Sequence, residues 1–169
     1  MGNYSYKPKR VPVTEEEKKY LWWMELVWWM FSLILIFAVM LPIVGEVEGY
    51  PFTYINLAFI LLFFHYSRHV VLLKYSVLKL SFWAKLSFAL LTPALLFYMG
   101  GKFAYFQTFM DEATMSELMP GLSYDRQTSL NSYIKTQMIF FATGTFIAGI
   151  LFFLRMIVSV WRQTNEKGI

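Results

Sequence analysis

The chain has 169 residues, a net charge of +4, no cysteine, and 57% hydrophobic against 15% charged residues. A soluble domain of this size carries nearer ~25% charged residues, so one membrane-embedded unit is expected in place of a soluble domain. The lack of cysteine excludes disulfides, iron–sulfur clusters and thiolate zinc sites. The basic residues sit beside apolar runs and form no stripe with exposed aromatics, which sets nucleic acid aside as a partner.

Residues 1–13, with Lys7, Lys9, Arg10 and two prolines, form a basic arm. Thr14 followed by Glu17 is a capping box, so a helix starts there and runs into the first span, 20–41. At ~1.5 Å per residue that span reaches roughly 33 Å, about the thickness of a bilayer core. It follows a polar stretch and is too long for the core of a signal peptide, so no cleavage is expected. Trp22 and Trp23 mark an interface, whereas Trp28 and Trp29 lie deeper, against a neighbouring helix or another subunit. Pro42 and Gly45 are expected to end the helix.

A short connection with Glu46 and Glu48 leads to the second span, 52–73, whose last third carries His65, Arg68 and His69. Residues 74–81 mix lysines with Val77, Leu78 and Leu80, the composition of an interfacial helical turn. The third span, 82–99, has Lys85 near its start and Pro93 near its middle; Gly100 and Gly101 are expected to end it. In the long third connection, Phe106, Phe109, Met110 and Ala113 recur at helical spacing, which predicts a short amphipathic surface helix. Residues 123–133 are polar and read as a turn. The fourth span is 134–160, within a single transmembrane domain of 14–161, and 162–169 form a cytoplasmic tail. Gly144, Thr145, Ala148 and Gly149 make two small-xxx-small pairs suited to close helix contact.

Basic residues border the N-terminal arm, the second connection and the C-terminal end, while the first and third connections are acidic. The expected fold is therefore an all-α integral membrane protein of four transmembrane helices, with both termini in the cytoplasm of a bacterial inner membrane. In that orientation Glu25, Arg68, Lys85 and Arg155 form a charge layer near the cytoplasmic face. Such residues are costly in lipid unless they pair, are solvated or snorkel. Glu25 is expected to pair with Arg155, Arg68 or Lys85.

His65 and His69 are one turn apart on one helix face. A metal would need further ligands there, and one helix cannot place both imidazoles on opposite sides of a haem iron. No metal, nucleotide or catalytic residue is expected: the sequence has no HExxH, GxGxxG or Walker pattern. The preferred function is a non-catalytic integral subunit that anchors or stabilises a larger membrane complex. Its partners would be other integral membrane subunits and lipids, anionic headgroups included. The first alternative is a redox or proton-handling subunit with a quinone or haem site at His65, Arg68 and His69. The second is a small transporter or channel.

Overall fold

The computed structural model describes residues 14–112 and 118–167. The basic arm (1–13) and the middle of the third connection (113–117) lie outside them. The elements are α1 (Glu15–Glu46), α2 (Thr53–Leu72), two 3₁₀ turns (Leu73–Tyr75 and Val77–Leu80), α3 (Phe82–Glu112) and α4 (Tyr124–Lys167). All four α-helices are long and apolar enough to cross a membrane.

Their surfaces are those of a membrane protein. Asn56, Arg68, His69, Lys85, Gln137 and Thr145 are buried, while Phe37, Leu90, Phe97 and Ile147 are exposed. An apolar envelope of that extent is tolerated in lipid and would aggregate in water.

Helix α1 starts where the sequence places it. Thr14 has an extended backbone and its hydroxyl accepts from the Glu17 N–H at 3.2 Å. That satisfies one of the donors a helix start leaves open. The end differs from expectation: Pro42 lies inside the helix, which continues to Glu46. Only Leu21, Ser32, Met40 and Ile43 of α1 are buried. Their intervals of 11, 8 and 3 return to one narrow side of a helix of 3.6 residues per turn. Gly49, at a φ of +69°, takes the left-handed conformation in the turn to α2.

Helix α4 is the centre of the molecule and packs chiefly on α2 and α3. Its small residues let the backbones approach. A Cβ on Gly144 would fall 2.6 Å from the Phe63 ring, and one on Gly149 would fall 2.8 Å from Leu96. Between them, the Thr145 hydroxyl donates to the Phe59 carbonyl at 2.9 Å. Ala148 is buried in the cluster of Tyr66, Ala89, Phe152 and Met156.

Two more boundaries move. Gly100 and Gly101 do not end the third helix; α3 runs through them to Glu112. The predicted separate surface helix is therefore, as far as Glu112, the last turns of α3. Phe106 and Met110 are buried there, and Phe106 and Phe109 pack on Phe52 with ring centroids 5.2 and 5.1 Å away. Ala113 lies outside the described residues. The polar stretch 123–133 is, from Tyr124 on, not a turn but the first turns of α4, which buries Leu130 and sends the Tyr133 hydroxyl to the Val39 carbonyl at 2.8 Å. Arg126 forms an ion pair with Glu46 at the same end.

Gly144→Ala should lower the stability of the folded chain by about 1–3 kcal/mol, because Phe63 is boxed in by Phe64, Phe140 and Phe141. Gly101→Ala, where a Cβ meets nothing within 4 Å, should be neutral or stabilising by up to ~1 kcal/mol. Unfolding of the two variants in mixed micelles checks the contrast.

Candidate functional site

Glu25 sits about three turns into α1. Opposite it, the last turns of α2 present His65, Arg68 and His69, whose spacing puts them on one face. The chain then reverses through the two 3₁₀ turns, bringing Ser76 and Val77 back over Glu25. Three donors converge on the Glu25 carboxylate. Arg68 Nη1 donates to Oε2 at 2.5 Å, and the Ser76 hydroxyl and the Val77 N–H donate to Oε1 at 2.8 and 3.0 Å. The pair is withdrawn from the surface, with side-chain exposures of 5% for Arg68 and 14% for Glu25. The Arg68 guanidinium carbon also lies 5.6 Å from the centroid of the Trp28 ring, a cation–π contact.

This contact accounts for the deep tryptophans. Trp28 lies over Arg68, and the Trp29 ring is 6.1 Å from that of His65, so both face α2 of the same chain. His69 lies in the second layer of the network. Its Nδ1 is 2.7 Å from the His65 carbonyl oxygen, which only accepts, so Nδ1 carries a hydrogen. Its Nε2 is 3.0 Å from the Ser76 hydroxyl oxygen, which also accepts from the Leu78 N–H at 3.1 Å.

Proton counting then limits the chemistry. Ser76 has one hydroxyl hydrogen and two claimants, Glu25 and a neutral His69. An imidazolium at His69 would donate to Ser76 and leave that hydrogen to Glu25. One added proton would thus satisfy His69, Ser76 and Glu25 together, while Arg68 Nε and Nη2 stay buried without a hydrogen-bond partner among the described residues. Both His69 nitrogens are engaged within the chain, and the His65 and His69 rings lie tilted at 46° to each other with centroids 4.3 Å apart on the same side of α2. A metal or haem iron would have to displace Ser76 to reach Nε2 of His69. No group of three or more His, Asp or Glu residues among the described residues could hold a metal ion. A shallow depression of about 220 Å³ borders the network, lined by Glu25, His65, His69, Ser76 and Phe88 among others.

The charge layer read from sequence divides in two. Glu25 and Arg68 meet directly. Lys85 and Arg155 instead line a separate groove between the start of α3 and the end of α4. There Lys85 Nζ donates to Gln163 Oε1 at 3.1 Å. Gly144, Thr145, Ala148 and Gly149 belong to neither site and lie on the faces of α4 toward α2 and α3. Sequence reasoning missed Ser76, Gln163 and the use of Trp28. A serine in a short turn and a glutamine near a helix end carry no pattern of their own. The depth of Trp28 was a visible signal, but its partner is 40 residues away on another helix.

Comparison with protein-family models, curated proteins and solved structures finds no match for this chain. The functional reading therefore rests on its own geometry.

Removing one member of a buried ion pair leaves the other charge uncompensated, at a cost of about 3–5 kcal/mol. Glu25→Gln and Arg68→Met should each destabilise the fold by that order, and the double variant by less than their sum. A double-mutant cycle measured by unfolding in mixed micelles reads the coupling directly.

Proposed function

We propose that the chain is a non-catalytic integral subunit that anchors or stabilises a larger complex in a bacterial inner membrane, with both termini in the cytoplasm. The observation that carries this reading is the way α1 is attached. It touches its own bundle along one narrow strip and is held at the charged end by Glu25 and Arg68. The rest of its surface is a large aromatic and aliphatic face that includes Trp22, Trp23, Met30, Ile34, Phe37 and Val44. Helices associate in lipid through shape and polar contacts, since apolar burial alone gains little there. A peripheral helix with bulky rings along its outer face supplies the shape for a partner helix. The acidic first and third connections and the basic ends support the orientation.

Extraction of the full chain from its native membrane in mild detergent should recover stoichiometric integral-membrane partners. Trp22→Ala with Phe37→Ala should reduce that recovery about tenfold. Leu90→Ala with Phe97→Ala, on the exposed face of α3, should leave it unchanged. Purification of the wild-type chain alone and monodisperse, with no partner, would overturn the reading.

A second reading is favoured by the shared hydrogen of Ser76. The chain Glu25–Ser76–His69 has the connectivity of a proton-handling site, and the depression beside it opens onto His65 and Phe88. A proton-handling or quinone-linked subunit would lose its activity in the assembled complex with Ser76→Ala while keeping its partners. A purely structural network would lose stability and leave the pH profile of the complex unmoved.

A further inference from the structure

The clasp on Glu25 uses only part of Arg68. Nη1 donates to the carboxylate, whereas Nε and Nη2 are buried without a hydrogen-bond partner among the described residues. The Trp28 ring beside the guanidinium attracts its charge, but a ring face is a weak acceptor for an N–H. A planar guanidinium presents its donors as a rigid fork, so the unused nitrogens can address one acceptor together. Leaving such donors unsatisfied is costly in any buried setting, and more so within a bilayer, where solvent cannot reach them.

Arg68 also lines a small hollow between α1 and α2, together with Trp28, Trp29, Ser32, Leu61 and Phe64 among others. Its volume of about 10 Å³ is room for about one water molecule and for nothing as large as a headgroup or a quinone ring. Charge narrows the choice further. The Glu25 carboxylate already matches the Arg68 guanidinium, so an added anion would leave the site net negative in a medium that penalises charge. The occupant that fits is therefore neutral, accepts hydrogen bonds and is one heavy atom in size. Ser32 supplies a further polar partner. It is buried, and its hydroxyl can both donate and accept. It follows Glu25 by seven residues, which is about two turns along the same face of α1.

We propose that this hollow is the binding site of a single water molecule, which accepts from Arg68 Nε and Nη2 and donates to the Ser32 hydroxyl. The water completes the donor set of Arg68 and gives α1 a second polar link to α2, about two turns deeper than Glu25. Leu61, Phe64, Trp28 and Trp29 wall the site, so the water is held apart from bulk solvent. The proposal rests on the Glu25–Arg68 geometry and the hollow beside it, not on a partner complex or on proton handling.

The test is X-ray radiolytic footprinting of the purified full-length chain in mixed micelles, read by mass spectrometry. Radiolysis of a held water oxidises the rings beside it, so Trp28 and Phe64 should be oxidised in the wild type. In a second experiment the chain is mixed with water enriched in oxygen-18 just before exposure. The heavy isotope should appear at once on Trp22 and Trp23, which are strongly exposed, and with a delay on Trp28 and Phe64. Ser32→Val removes the hydroxyl and fills the hollow with methyl groups. It should cut oxidation of Trp28 and Phe64 about fivefold or more, while that of Trp22 and Trp23 stays unchanged. Absence of oxidation at both Trp28 and Phe64 in the wild type would overturn the proposal. So would isotope uptake at all four rings together, since bulk water would then be reaching the site. Unchanged oxidation of Trp28 and Phe64 in Ser32→Val would overturn it as well. The isotope delay is read on the wild type alone, so the proposal stays exposed to refutation even if Ser32→Val does not fold.

Discussion

The carboxylate of Glu25 must be satisfied inside the chain, and much of the architecture at that end follows from this demand. A charge about a turn and a half into an apolar run is expensive in lipid. Here its cost is offset by one guanidinium, one hydroxyl and one backbone N–H, drawn from α2 and from the turn after it. These contacts fix the rotation of α1 about its axis, the depth at which it meets α2, and the path of the 3₁₀ turns. Without them α1 would keep only a narrow strip of packing, in a solvent that does not drive apolar helices together.

The rest of the bundle is held by a different principle. Around α4 the contacts are mainly steric, with the Thr145–Phe59 hydrogen bond among them: Gly144 and Gly149 admit Phe63, Leu96 and Tyr66, and a network of edge-on rings fills the space between α2, α3 and α4. The molecule thus combines a tightly packed three-helix body with a fourth helix attached at its two ends. At one end the link is the Glu25 network. At the other, Met40 and Ile43 are buried in the main core, Tyr133 donates to the Val39 carbonyl, and the Arg126–Glu46 pair lies on the surface, worth little by itself.

The number of helices, the cap at Thr14 and the short turns between residues 73 and 80 were all legible in the sequence, because each depends on local composition. Helix ends were not. Pro42 and the Gly100–Gly101 pair read as terminators because their propensities are poor, yet both helices continue. In α3 the later turns bury Phe106 and Met110 against Phe52, and that packing outweighs a few kcal/mol of local preference. The polar residues after Leu122 read as a turn for the opposite reason: the few apolar positions that matter, Leu130 and Ile134, are sparse among them. At the site, the residue types were visible and their pairing was not. Glu25 had three basic candidates, and only the fold selects Arg68 and sends Lys85 and Arg155 to another groove.

The clasp on Glu25 has a consequence for how the chain enters a membrane. Its donors lie at residues 68, 76 and 77, some fifty positions later than the acid they serve. During synthesis the first helix therefore arrives with a carboxylate whose three donors have yet to be made. It is seated in its final form only when the second helix and the turn beyond it have followed. The first two helices are coupled as an insertion unit, with residue 77 as the point at which the earlier charge is discharged into the structure. The third and fourth helices, packed mainly by shape, assemble against a hairpin already closed.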